Sequence, residues 1–256
     1  MNEEAAILNI LLSREELLLV LNLLGAPILP GVDADPAGAL DESQTAVMMR
    51  TAQHALRARG LAQLDTDGTF QLHSALLESV GTCAFSDSAL LVYHWKGNGT
   101  TPERLFGHVR EGIIVSHTRP DPILHLISRM PSKEVFVDQV LTACFQKGEV
   151  TATTHKFTLN NRPLRKAREL AEGKTPETAS AALVEAGVPP ESAALFAQTL
   201  ASRPIVTIFQ VVSAENGTLS RRDFTLLQHD TNHWLLAMDT LANQFTIQTI
   251  TQAALK

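Results

Sequence analysis

The chain has 256 residues, 45% of them apolar, 19% charged and 5% aromatic, a balance that excludes a disordered or low-complexity chain and supplies a core without help from disulfides or metals. Its net charge of −6 is uneven: residues 1–80 hold four arginines (Arg14, Arg50, Arg57, Arg59) against eleven acids, a net −7, while the remaining 176 residues come to +1. That distribution argues against a phosphate-binding surface running over the whole chain.

Cys83 and Cys144 belong to no CxxC pair and read as two buried free thiols in a reducing cytoplasm. Glu3 and Glu4 stand where a secretion leader would carry positive charge, so a cytoplasmic protein is expected. The apolar run Leu17–Leu24 is far shorter than the ~20 residues that span a bilayer. The two Asn-Gly-Thr triplets match glycosylation sequons, but a turn explains them without requiring secretion.

In chain order, Ser13 and Glu16 have capping-box spacing and open a buried helix through Leu24, stopped by Gly25 and Pro27. Residues 25–42 are rich in Pro, Gly and Asp and form a loop. A second helix is expected over Ser43–Arg59, ended by Gly60. Leu61–Leu64 and Thr69–Leu72 flank Asp65-Thr-Asp-Gly68, which is a hairpin signal. Helix, helix, hairpin is the outline of a winged helix. Leu72–Cys83 reads as a short amphipathic helix. Strands are expected at 89–95, 105–109, 112–116 and 123–127, followed by a helix over Ser132–Lys147 with Ser132 as N-cap. Residues 149–161 read as extended. A basic helix follows at Pro163–Glu172, then one opened by Thr175-Pro176 and another over Glu191–Ser202. Four closing strands are expected at 205–213, 224–229, 234–239 and 245–251.

The halves repeat. Asn98-Gly-Thr100 and Phe106 recur as Asn216-Gly-Thr218 and Phe224, both at an offset of 118. The fold class that follows is α+β: two copies of an α-β-β-β-β unit, combined by a quasi-twofold into an antiparallel sheet flanked by helices, with a winged-helix-like start. The expected organisation is a helical segment at 1–83, a first sheet repeat with its helix at 84–148, and a second repeat at 149–256, together one compact domain.

Motifs for chemistry are scarce. There is no GxGxxG, P-loop or Gly-x-Ser-x-Gly elbow. His229 and His233 lie in a turn with no glutamate between them. His117, Asp121 and His125 converge only if their strands form a hairpin; no metal site and no cofactor are expected. Lys156, Arg162, Arg165, Lys166 and Arg168 fall in thirteen residues free of acids, either a solvated helix face or a dock for an acidic surface. Trp95, Phe224 and Trp234 are the candidate partner-binding anchors, with core packing as the competing reading.

The opening Leu12-Ser-Arg-Glu-Glu-Leu17, its Leu23-Leu24-Gly25 stop, the duplicated sheet and the closing series Arg221-Arg-Asp-Phe224, His233-Trp-Leu-Leu236 and Phe245-Thr-Ile247 resemble the EspG-like chaperones of type VII (ESX) secretion. The chain departs from them in being slightly short and in its winged-helix-like Leu56-Arg-Ala-Arg-Gly-Leu61. The resemblance implies a cytosolic, non-catalytic adaptor that binds a secretion substrate, here by holding an apolar segment of another protein. A winged-helix DNA-binding regulator and an enzyme of unrecognised type are the alternatives. The acidic N-terminal segment speaks against nucleic acid as a partner, and no membrane partner is expected.

Overall fold

The computed structural model describes residues 9–32, 38–96, 99–145, 154–173, 175–215, 218–251 and 254. By internal contacts the chain divides into two units: Met1–Leu90, Arg104–Phe136 and Ser213–Thr218 form the first, and Leu91–Glu103, Val137–Val212 and Leu219–Lys256 the second.

The first half of the chain contributes β1 (Asn9–Ser13), α1 (Arg14–Leu23), α2 (Glu42–Ala58), the hairpin β2 (Ala62–Leu64) and β3 (Phe70–Leu72), α3 (Ser74–Ala84), and the meander β4 (Ser88–Trp95), β5 (Glu103–Arg110), β6 (Ile113–Asp121) and β7 (Leu124–Met130). After α4 (Lys133–Cys144), the second half contributes β8 (Lys156–Asn160), α5 (Asn161–Gly173), α6 (Pro176–Glu185), α7 (Pro190–Ala201), and the meander β9 (Ile205–Glu215), β10 (Thr218–His229), β11 (Asn232–Asp239) and β12 (Gln244–Thr249). Ten of these strands form one sheet in the order β1-β7-β6-β5-β4-β9-β10-β11-β12-β8. The order is the same from either edge once β1 is matched with β8, β7 with β12, β6 with β11, β5 with β10 and β4 with β9. The α+β class and the duplication are therefore present. The repeat is richer than expected, because each copy begins with an edge strand that pairs with the last strand of its own meander.

Local signals account for the elements. Ser13 Oγ accepts from Glu16 N–H at 3.1 Å while Glu16 Oε2 accepts from Ser13 N–H at 2.8 Å, a closed capping box. Asp41 and Gln44 close a second one on α2. Thr175 caps α6 with Pro176 in its first turn. Asp65 and Asp67 side chains accept from Asp67 and Thr69 N–H, which fixes the β2–β3 turn. Helix, helix and hairpin thus follow in the expected order, with β2–β3 forming a two-stranded sheet of its own. The C-terminal end expected for α4, at Gln146 and Lys147, lies outside the described residues, as do Asn98, Asn216 and Gly217 of the two Asn-Gly-Thr triplets.

The strand registers correct the residue-level alignment of the two copies. Glu111-Gly112 turns β5 into β6 with Arg110 opposite Ile113, and Asp230-Thr231 turns β10 into β11 with His229 opposite Asn232. Counted back from these turns, Phe106 corresponds to Thr225, an offset of 119 rather than the expected 118. An odd slip exchanges the faces of a strand. Phe106 faces the helices of its unit: a Cβ on Gly31 would meet its ring at 2.4 Å. Phe224 alternates with Thr225 and Leu227, whose partners Leu236 and Trp234 pack under α5–α7, so it lies on the other face. The counterpart of Phe106 is Thr225.

In the first unit, α1, α2 and α3 cover one face of the sheet through Leu17, Leu19, Val20, Leu56, Leu76 and Val80, which pack with Ile10, Leu12, Val115 and Ile127. On the opposite face Phe136 of α4 lies over Gly107, where a Cβ would come within 2.1 Å of the ring. In the second unit Phe157, Leu159, Leu227, Trp234, Leu236 and Ile247 meet Ala167, Leu183, Phe196 and Ala197 of α5–α7.

Candidate functional site

Trp95, Phe224 and Trp234 all lie on strands of the second unit, in three different settings. Trp234 is fully buried. Its ring stands 5.1 Å from Phe196, 5.9 Å from Phe157 and 6.0 Å from His155, and its indole Nε1 donates to Thr199 Oγ1 at 3.2 Å. In this state it offers no surface to a partner. Phe224 and Trp95 are half-buried.

The face on which Trp95 projects can be traced through its neighbours. Beside it on β4, the His94 ring nitrogen Nδ1 meets Thr207 Oγ1 of β9 at 2.8 Å. Val206, one residue before Thr207, packs against the α5–α7 core. Tyr93 and Trp95 therefore project from the face that carries α5–α7, both only half-buried, with ring centroids 6.4 Å apart. Trp95 and Trp234 share a face; Phe224 is on the reverse.

Alternation along β10 brings Leu219, Arg221 and Asp223 to the same face as Trp95. Leu219 is 73% exposed. Arg221 donates through Nε and Nη2 to the two Asp223 carboxylate oxygens, each at 2.8 Å. That fork holds the guanidinium proton more tightly than usual, and Tyr93 adds in the same direction. Lys96 and Glu103 pair at 2.7 Å just past the end of β4. The result is a ledge of two aromatic rings and an exposed leucine, edged by a bidentate ion pair: an apolar centre with a polar rim, which suits a protein partner better than a small molecule. Sequence alone gave Trp95 but not Tyr93, Leu219 or the Arg221–Asp223 pair, whose grouping depends on strand neighbours distant along the chain.

The other candidates have structural roles. On α5, Arg165 pairs with Glu169 and Arg168 with Glu172, and Lys166 reaches Glu185 on α6, so the basic run is a solvated helix face largely matched by its own bundle. His233 is buried, with its ring stacked on Phe145 at 4.7 Å, whereas His229 stays at the turn. His117 and His125 do converge, Nε2 to Nδ1 at 2.8 Å. Among the described residues no group of three His, Cys, Asp or Glu is placed to hold a metal ion. Both cysteines are buried free thiols. No described helix is long and apolar enough to cross a membrane.

No protein-family model and no curated protein sequence matches the chain. Its fold does match a solved structure, the type VII secretion system chaperone EspG5 of Mycobacterium tuberculosis in complex with a PE25–PPE41 dimer. The TM-score is 0.68 over 97% of this chain and 94% of that one, at 11% sequence identity. The two share an architecture from end to end, and the resemblance seen in the sequence extends to the whole α+β fold.

Proposed function

We propose that this chain is a non-catalytic chaperone or adaptor of type VII secretion, acting in the cytosol and holding an apolar segment of a secreted protein. The observation that carries the reading is the end-to-end fold match to a chaperone whose structure contains a bound PE–PPE dimer. The ledge of Tyr93, Trp95 and Leu219, with its Arg221–Asp223 rim, supports it as the contact surface on the second unit, and Phe224 offers a further anchor on the reverse face. Trp234 serves this surface indirectly, by fixing β11 under α5–α7. Such adaptors work by burying a few aromatic anchors inside a polar rim, with no chemical step and no cofactor.

The test is affinity capture from the native cytosol with the wild type and with Trp95→Ala and Phe224→Ala. The reading expects the wild type to retain a secreted substrate of type VII secretion, and Trp95→Ala to lose it while keeping its fold. Retention of the same substrate by both variants would move the contact surface elsewhere. Recovery of no secretion substrate by the folded wild type would remove the chaperone reading itself.

A further inference from the structure

Three histidines lie side by side beneath the helices of the first unit. His108 on β5, His117 on β6 and His125 on β7 are 1%, 0% and 1% exposed. Their cross-strand partners put them on the helix-covered face: His108 opposite Val115, His117 opposite Ile127, His125 opposite Leu12. Each of those partners belongs to the apolar core under α1–α3. The His117 ring is 5.1 Å from that of His125 and 6.5 Å from that of His108.

The second unit shows what the same positions hold when they are only structural. Counted from the β5–β6 and β10–β11 turns, His108 corresponds to Leu227 and His117 to Leu236. Ile127 opposite His117 then corresponds to Ile247 opposite Leu236, and the same count places His125 at Phe245. The edge strands agree: Leu12 lies opposite His125 as Leu159 lies opposite Phe245. Three positions that are Leu, Leu and Phe in one copy are all histidine in the other.

As neutral rings these histidines fit an apolar interface. As cations they do not, because burial strips each ring of water and sets like charges side by side. His117 Nε2 and His125 Nδ1 share one hydrogen bond at 2.8 Å, so one nitrogen must lack a proton, and charging both rings breaks the bond and sets like charges in contact. Neither ring nitrogen of His108, nor His117 Nδ1, has a protein hydrogen-bond partner among the described residues. The sheet contributes cations to this face, Arg104 and Arg110 from β5, Arg119 from β6 and Arg129 from β7. On the covering helices, Glu16 of α1 is bonded to Arg59 and Glu78 of α3 to Arg129. The core residues of α2 in this interface, Ala52 and Leu56, are uncharged.

We propose that His108, His117 and His125 form an acid-sensitive latch, in which proton uptake by the row separates the α1–α3 cover from the sheet of the first unit. Burial, the largest cause, holds His108 down to about 4 and His117 down to about 3, with the His125, His108 and Arg119 charges adding to the latter, against an ordinary 6.5. A histidine depressed in the folded state leaves stability intact above its unfolded value and removes it as the pH falls. The loss therefore begins near pH 6.5 and steepens toward pH 4.

The test is native-state hydrogen exchange on the full chain between pH 7.5 and 5, read as opening constants for amides of β6 and β7. Two histidines taking up protons on opening should raise the wild-type constant about a hundredfold per pH unit below pH 6. A variant carrying His108→Leu, His117→Leu and His125→Phe, the residues of the sister positions, should lose that hundredfold dependence while amides of β11 and β12 keep theirs. An unchanged slope in the variant overturns the latch. If the triple variant does not fold, imidazole NMR of the wild type decides. Rings that stay neutral until the β6 and β7 amides lose protection support the latch. Rings that titrate near 6.5 while those amides remain protected overturn it.

Discussion

Val115 of β6 and Trp234 of β11 hold the same place in two hairpins, each three residues past its turn and each on the helix-covered face. The two copies fill that place differently. Val115 leaves room for imidazoles, whereas Trp234 fills its site with an indole and ties it to α7 through Thr199. Truncation at Trp234 removes a large buried ring and leaves Thr199 without its donor. Trp234→Ala should cost about 3–5 kcal/mol in urea or guanidinium unfolding, with the loss read at the α5–α7 unit. A cost under about 1 kcal/mol would mean the indole is not packed as described.

Trp95 is expected to behave differently. It is half-buried, on the face it shares with Trp234. Trp95→Ala should lower stability by about 1–2 kcal/mol, clearly less than Trp234→Ala, because only part of the ring leaves contact. Paired thermal melts of the two variants separate an anchor from a core residue. Equal losses would place Trp95 in the core.

This difference between two tryptophans marks where the sequence stops being legible. Ser13 with Glu16, Asp65 through Gly68, and Thr175-Pro176 each announce their element because the cap or turn is made by residues within four positions of one another. The meanders were visible as apolar runs. The edge strand β1 was not, because Leu11 puts an exposed apolar residue where alternation calls for a polar one. Face assignment needs the register, and the register is set by two-residue turns such as Asp230-Thr231 that carry no glycine. The Phe106–Phe224 match looked sound along the chain, yet one residue of slip puts the two rings on opposite faces. Tyr93 and Arg221 are neighbours only through the order of strands in the sheet.

Two glycines mark places where side chains from other elements occupy the space a Cβ would need. Gly107 sits beneath Phe136, which would be 2.1 Å from an added methyl, and Phe136 is itself buried. Gly107→Ala should cost about 1–3 kcal/mol through displacement of the α4 ring. Gly31 combines a positive φ of 83° with a 2.4 Å approach to the Phe106 ring, so Gly31→Ala adds backbone strain to the clash and should be the more damaging of the two. Chemical denaturation of both variants checks the ranking, and the reverse order would overturn it.

The thiols give a test that requires no mutation. Burial pushes the Cys144 thiol up to about 12 and Cys83 higher still, so neither is a thiolate at neutral pH. Neither should react with an aromatic disulfide reagent at pH 8 faster than the protein opens. The labelling rate should rise with denaturant in step with unfolding. Immediate labelling of one thiol in the native protein would place that cysteine outside the core.

Glu16 connects the N-terminal segment to the end of α2. Its carboxylate is 5% exposed, caps α1 through Ser13 N–H, and accepts from Arg59 Nη1 at 2.9 and 2.8 Å; Arg59 also donates to the Leu11 carbonyl on the outer side of β1. Arg59 is 41% exposed, so its own desolvation is modest, while the acid it neutralises is buried. That asymmetry predicts unequal mutants. Arg59→Ala leaves a buried carboxylate with only its cap bond and should cost about 2–3 kcal/mol. Glu16→Gln keeps the cap acceptor and one neutral bond to Arg59, and should cost about 1 kcal/mol. The double variant Glu16→Gln with Arg59→Ala should then be less damaged than the sum of the two, because the charge that Arg59 compensates is gone. A double-mutant cycle measures this directly. Strict additivity would show that Arg59 holds the β1 edge through Leu11 alone, and that the ion pair adds nothing to it.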